Sequence, residues 1–457
     1  MKLLTILIPL LAIACSTQQK PLVADEDMSY LEDLTKVVID SSRIGPGQDL
    51  PPAIRSFGPN RSGITLIKPG GRDCYPSFWV RDYAMSLESG FITPGEQQDI
   101  LLYTAARQSD STWVTVTGSR VPRGSIPDHI RINDGLPVFF PGTYDPIRQG
   151  NEVWRTPPYG DQFFFIHMAW YYIRHGGDRS DLERNINGIS LFRRMAMAFE
   201  AVPAHPGNGL VFISDSVPTC DFGFRDVVRM TGEVCFGSVL RYRAALEMAE
   251  MYELRGSAWQ ADTCRMIAGK IRSSIPVVFA NGSGLLGAST GLSSQPDVWA
   301  TAFAVYTGAL EGIEARRAAE ALDAAYKAGY LSMEGQIRHV PANADYDSTT
   351  AWELALAAKN HYQNGAYWGT ATGWVFDALA RVDRPAAAQL LRDFVTSLRN
   401  SDFRKGMPDE GAPYECVYPP TNYKQNPVYM TTVTVPWGVL REWKARRWAP
   451  GSVPDPH

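Results

Sequence analysis

The chain has 457 residues, a net charge of −4 and 45% hydrophobic residues, and its 11% aromatics include 12 tryptophans and 20 tyrosines. So small a charge gives no reason to propose nucleic acid or an anionic membrane surface as the partner. Six cysteines without a CxxC pair and seven scattered histidines argue against a structural zinc site; a Walker loop, a strand–GxGxxG–helix unit, an HExxH helix and a GxSxG elbow are all missing from the sequence.

In chain order, Met1-Lys2 and the apolar run Leu3–Ile13 read as an export signal, too short to cross a membrane as a mature helix. The run ends in Leu11-Ala12-Ile13-Ala14-Cys15, which resembles the bacterial lipobox, with Ala12 at the place where leucine is usual. That resemblance implies cleavage before Cys15, lipid on its sulfur, and a mature protein in the bacterial cell envelope that touches membrane only through that lipid. Residues 15–26 read as a tether and 27–450 as one domain. That compartment permits one or two disulfides among Cys74, Cys220, Cys235, Cys264 and Cys416. No later stretch is long and apolar enough to span a bilayer.

About 430 remaining residues make one large domain or two to three smaller ones. Helix-period apolar patterns recur in pairs. They cover 77–90 with 94–108, 161–175 with 182–201, 238–253 with 258–274, 297–311 with 315–328, and 367–381 with 384–400. A last pattern, 432–447, takes 28–42 as its partner across the chain ends. Between pairs run long Gly/Pro/aromatic loops: 109–160, 202–237, 275–296, 329–366 and 401–431. Long loops in a compact domain are functional or a sign of misassignment. Here one precedes the first helix of each following pair, so six hairpins closed in a ring would gather them at one end. The expected fold is therefore all-α, an (α/α)6 toroid, with strands confined to short hairpins such as Ile126–Phe140.

Unusual residues concentrate where loops meet helices. Trp79-Val80-Arg81-Asp82 stands at the first such junction, Pro157-Pro158-Tyr159-Gly160-Asp161-Gln162 at the second, and Cys220-Asp221-Phe222-Gly223-Phe224-Arg225-Asp226 before the third. Asp297-Val298-Trp299, Tyr362–Trp368 and Pro413-Tyr414-Glu415-Cys416-Val417-Tyr418-Pro419 follow. An arginine fork and a carboxylate at a helix entry can grip hydroxyls, although an aspartate in a first turn is also a helix cap or a dipole partner. Single tryptophans are more often core than ligand contacts.

In this order the motifs resemble the six-hairpin glycosidases, nearest to glucoamylases and the trehalase/α-glucosidase clan. Trp-x-Arg-Asp is similar to the glucoamylase element that holds a terminal sugar, which places Arg81 and Asp82 on sugar hydroxyls. Asp161 and Gln162 match a second sugar-binding loop. Residues 220–226 resemble the trehalase signature Trp-Asp-Phe-Ser-x-Arg-Trp, with Cys220 and Asp226 where tryptophans would stand. That match implies Asp221 as general acid and Arg225 as the signature arginine, directed at substrate or at Asp226. Glu233 is the rival acid, and Asp226 a further one. Glu415 falls on the general base of the Glu-x-Tyr-Asn/Asp-Pro motif, with Asp409 and Glu410 as alternatives. Trp79, Trp299, Tyr367 and Trp368 are the stacking candidates. The resemblance implies a monomeric, exo-acting, inverting glycoside hydrolase acting on an oligo- or polysaccharide without a cofactor, with carboxyls about 6.5–9.5 Å apart. A glycan-binding lipoprotein without turnover is the alternative, as is a lyase or unsaturated-uronide hydrolase served by Arg131, Arg225 and Arg229.

Overall fold

The structure, a computed structural model, describes residues 22–220, 225–345, 347–406 and 410–448. Cys15, Asp221 and Asp409 lie outside them. Twelve α-helices occur among the described residues: α1 Asp25–Ser42, α2 Val80–Ser86, α3 Pro94–Ala105, α4 Gly160–Arg174, α5 Leu191–Ala201, α6 Cys235–Leu254, α7 Ala258–Val278, α8 Val298–Thr307, α9 Gly312–Lys327, α10 Thr372–Val382, α11 Arg384–Asn400 and α12 Thr431–Trp448.

The even-numbered helices form the inner ring. Helix α2 packs on α4, α4 on α6, α6 on α8, α8 on α10, α10 on α12, and α12 returns to α2. The odd-numbered helices lie outside, and α1 closes the outer layer against α12 and α11. Burial follows this division. Residues 160–169 of α4 are buried without a break, whereas α9 buries only Ala315, Ala318, Ala319 and Leu322, a single stripe at helical spacing. Local signals set the boundaries: α3 starts with a Thr93/Glu96 capping box and Pro94, and α8 starts on the Asp297 cap and stops at Gly308 in the left-handed region. The chain thus has the all-α toroid expected of its helical pairs. None of the described helices is long and apolar enough to cross a membrane. Cys74, Cys220, Cys264 and Cys416 form no disulfide.

Strands are short and stay in the connecting segments. Residues 77–79 form a strand, β1, instead of the first turn of a helix. It pairs with β2, His129–Arg131, which also pairs with β3, Pro137–Val138. The sequence 182–201 is α-helical only from Leu191, because Asn187 and Gly188 adopt positive φ and turn a hairpin between 185–186 and 189–190. Asn-Gly is the expected sequence for such a turn. Helix α10 starts at Thr372 rather than 367, since the Tyr367 backbone pairs with Val417 and that of Trp368 with Ile337. Two longer strands, β4 Tyr414–Tyr418 and β5 Tyr423–Pro427, form an antiparallel hairpin before α12.

Toward the C-terminal ends of the inner helices a polar network fills the ring. The Tyr306 hydroxyl donates to Glu88 and Glu442 at 3.0 and 3.3 Å, and His167 Nδ1 meets Glu247 at 2.6 Å. Arg243 lies 3.8 Å from Glu88 and 3.7 Å from Glu247.

Candidate active site

The opposite end of the ring, where the inner helices begin, collects the loops. Glu415 stands on β4, fully buried. The Tyr75 hydroxyl donates to its Oε2 at 2.6 Å and the Tyr362 hydroxyl to its Oε1 at 2.9 Å. The amide of Asn426, across the hairpin on β5, also donates to Oε2. Burial pushes the Glu415 carboxyl up to about 8, the three donors pull it back, and the Asp82 charge adds to the rise. Donors to the charged form favour it, so this carboxylate is held ready-solvated by the protein. Asn426 takes a left-handed φ of 48° to reach it, a conformation asparagine tolerates better than most side chains.

Asp82, on the first turn of α2, accepts a 2.5 Å hydrogen bond from Tyr429 just before α12. Burial raises it to about 7. Its neighbour Arg81 turns to two other carboxylates. Nη2 contacts Asp128, beside β2, and Asp161, on α4, the latter at 3.1 Å. Burial opposes the charge on Asp128, but Arg81 and His129 together hold it below the usual carboxylate range. Asp161 goes the other way: burial lifts it well above that range despite Arg81. Asp161 thus meets Arg81 from inside the first turn of α4, which begins after Tyr159, and does not cap that helix. Gln162 directs its amide at the carbonyls of Tyr159 and Pro158, 3.0 and 3.1 Å away.

Asp226 lies in the same cluster. Its Oδ1 accepts from Gln363 at 2.7 Å, while the Gln363 carbonyl takes the Val227 N–H. Burial raises Asp226 to about 6 against the pull of Arg81, yet part of its surface stays open. Tyr362 and Gln363, consecutive in the chain, thus serve Glu415 and Asp226 respectively. After burial, the Asp226 charge is the largest influence raising the Tyr362 phenol, ahead of Glu415. The Tyr362 phenol thus feels both carboxyls and bonds one of them, Glu415, directly.

Other expected contributors sit elsewhere. Arg225 turns away from Asp226 and closes a bidentate pair with Asp297 at 2.5 and 2.6 Å, with its Nε toward His339. Trp299 and Trp368 are 1% and 0% exposed and pack edge to face, with Trp299 stacked on His339. They form the core beneath the site. Tyr367 faces Tyr418. Glu233 accepts from Thr290 at 2.6 Å on an exposed edge, and this bond keeps it below its ordinary value. The Glu410 carbonyl accepts from Arg72. Arg131 pairs with Asp134 and Arg229 with Asp215. Trp79 stacks on His129 with centroids 4.5 Å apart and meets Tyr75 and Tyr144 edge-on, so it does form a wall of the cluster. Tyr75, Tyr144, Tyr362, Asn426, Tyr429 and Asp128 belong to the site without having been singled out as ligands.

No model of a known protein family matches the chain, and no curated protein sequence matches it. Solved structures do. A glucoamylase from Saccharomycopsis fibuligera is 12% identical with a TM-score of 0.55, covering 95% of this chain and 99% of its own. The fold is that of the six-hairpin glycosidases. A mannosylglycerate hydrolase from Thermus thermophilus in complex with glucose matches with 12% identity and a TM-score of 0.55 over 90% of this chain and 100% of its own. A rhamnosidase from Klebsiella oxytoca with rhamnose bound matches at 10% identity, TM-score 0.53, over 93% of this chain and 66% of its own.

Proposed function

We propose that this chain is an exo-acting, inverting glycoside hydrolase that removes a terminal sugar from an oligo- or polysaccharide. The observation that carries the proposal is that Tyr362 and Gln363, consecutive in the chain, bond Glu415 and Asp226 at the loop end of a closed helical ring. Glycoside hydrolysis needs two carboxyls, one to protonate the leaving oxygen and one to activate water. Between the raised values of about 6 and about 8 the pair holds one proton, which rests on Glu415, so an acid at Asp226 and a base at Glu415 act through the minor form with that proton on Asp226.

Glu415 is assigned as the base. Both of its oxygens accept from neutral donors, which suits a carboxylate that takes a proton from water and releases it again. The acid comes from the 221–226 segment. We take Asp226, which is partly open and accepts from the Gln363 amide, with Asp221, the acid that the trehalase resemblance implies, as the alternative. Water attacks the anomeric carbon as that carbon–oxygen bond breaks. The products are a sugar of inverted configuration and the free alcohol. Arg81 and Asp82, with Trp79 beside them, are taken to line the place for the terminal sugar, and neighbours of this fold with glucose or rhamnose bound support a saccharide ligand.

The test is release of sugar from a panel of disaccharides and aryl glycosides by the native chain and by Glu415→Gln, Asp226→Asn and Asp221→Asn, with the product anomer read by NMR. Turnover lost in Glu415→Gln and Asp226→Asn, with inverted product, supports the assignment. Loss in Asp221→Asn alone moves the acid to that residue, and an absence of turnover in the native chain on every substrate favours the glycan-binding alternative. We further propose that Cys15 carries the lipid; Cys15→Ser releasing the protein from the membrane fraction is the expected result.

A further inference from the structure

We propose that Lys68 is a positioning residue that acts on Glu415 through Tyr75: its ammonium holds the Cys74 carbonyl and so fixes the backbone from which the Tyr75 phenol reaches that carboxyl. The proposal rests on the reading of Glu415 as a catalytic group.

Backbone geometry supplies the first observation. Tyr75, Tyr362 and Asn426, the donors to Glu415, all leave a left-handed backbone, with φ of 63°, 49° and 48°. Tyrosine rarely occupies that region, and such a conformation persists only where the surroundings over-determine it. The Tyr75 hydroxyl also accepts from the Asn426 amide at 2.9 Å, so a displaced Tyr75 loosens two of the three donors together.

Lys68 supplies the second. It is fully buried, and its Nζ donates to the Cys74 carbonyl at 3.1 Å. That carbonyl belongs to the peptide plane whose rotation defines φ of Tyr75. The Lys68 backbone N–H donates to Ser42, the last residue of α1, at 3.0 Å, so the side chain works from a fixed base. The other end of the turn is sewn to the segment before α12: Gly71 N–H donates to Val428 at 2.8 Å, and the Pro69 carbonyl accepts from Met430 at 2.7 Å. The turn is folded tightly on itself, since a Cβ at Gly70 would come within 2.2 Å of Cys74 Sγ. A buried ammonium is costly. Burial lowers Lys68 to about 8, and Cys74 and Asp73 are the titratable groups that favour its charge.

The experiment compares full chains carrying Lys68→Met, Lys68→Gln, Tyr75→Phe, and Lys68→Met together with Tyr75→Phe. Methionine keeps the apolar stem and removes the ammonium. Because Lys68 titrates in the same range as Glu415, the readout is the protonated-carboxyl infrared band that Glu415→Gln removes, followed against pH. Lys68→Met is expected to raise the Glu415 carboxyl by about half a unit or more, a roughly three-fold change in its ionisation equilibrium, and by no more than Tyr75→Phe does. The acidic limb of kcat/KM should move with it. In the Tyr75→Phe background the same substitution should add less than about 0.3 unit, since the two act on one contact. A lysine that only stabilises the fold would lower the melting temperature and leave the band in place, and that result overturns the proposal. An equal shift in the Tyr75→Phe background also overturns it, because the lost charge would then act directly on Glu415. If Lys68→Met does not fold, Lys68→Gln carries the test: its shorter, neutral amide should give a smaller shift of the same sign, and an unmoved band counts against the lysine. Failure of the hydrolase reading shows separately, as a native chain without turnover in which the Glu415 band still moves.

Discussion

Removing the Tyr75 hydroxyl tests the role of Glu415 more sharply than removing the glutamate. Among the three donors, Tyr75 pulls hardest against the rise caused by burial. A hydrogen bond to a charged group is worth about 1.5–3 kcal/mol, and one pH unit corresponds to about 1.4 kcal/mol. Tyr75→Phe should therefore raise the Glu415 carboxyl by about one to two units above its value of about 8. A base must be ionised to act, so the acidic limb of the kcat/KM profile, which reports the free enzyme, should move alkaline by that amount. At pH 7 the rate should fall about 10- to 100-fold. If Glu415 were instead the acid, the same substitution would leave the acidic limb in place and extend activity to higher pH. A profile that moves by less than about 0.3 unit in either direction refutes the claim that this hydroxyl tunes a catalytic carboxyl.

Three further outcomes follow from the same geometry. Asp226→Asn should cost about 10²–10⁴-fold in turnover if Asp226 is the acid, whereas Glu233→Gln, on an exposed edge beside Thr290, should stay within about two-fold; steady-state kinetics on one substrate compares them. Glu415 is raised from 4.5 to about 8 on folding, so the folded state binds the extra proton between those limits and stability falls as pH rises through them. Glu415→Gln should accordingly melt higher than the native chain at pH 8 and converge with it below about pH 4.5, as read by thermal scans. Asp297→Asn removes the carboxylate of the buried bidentate pair with Arg225, and the loss should be about 3–5 kcal/mol in urea unfolding.

The ring was legible because each pair announces itself twice, by period and by the loop that follows. What the sequence could not convey was choice of partner. Arg81 and Asp82 are adjacent in a helix entry, but Arg81 joins carboxylates 47 and 80 residues on and Asp82 a phenol 347 residues on. Glu415 stood out by its place before the last inner helix. Its donors did not, since Tyr75 and Tyr362 are two tyrosines among 20 and only folding distinguishes them. Trp299 and Trp368 illustrate the converse: a loop–helix junction suits a ligand contact or a core corner equally, and here the ring beneath the site takes both. The Asn187-Gly188 hairpin was readable from its dipeptide, and the helical period around it concealed it.

The closure of the inner ring by α12 against α2, and of the outer layer by α1 against α11, has a consequence for how the site comes into being. Tyr75 and Glu415 meet across 340 positions, so no amino-terminal or carboxyl-terminal fragment can own half of the chemistry. Contacts of such separation are slow to form, and a nascent polypeptide stays inert, with its acidic pocket unassembled, until the final helix seats itself in the gap like a keystone.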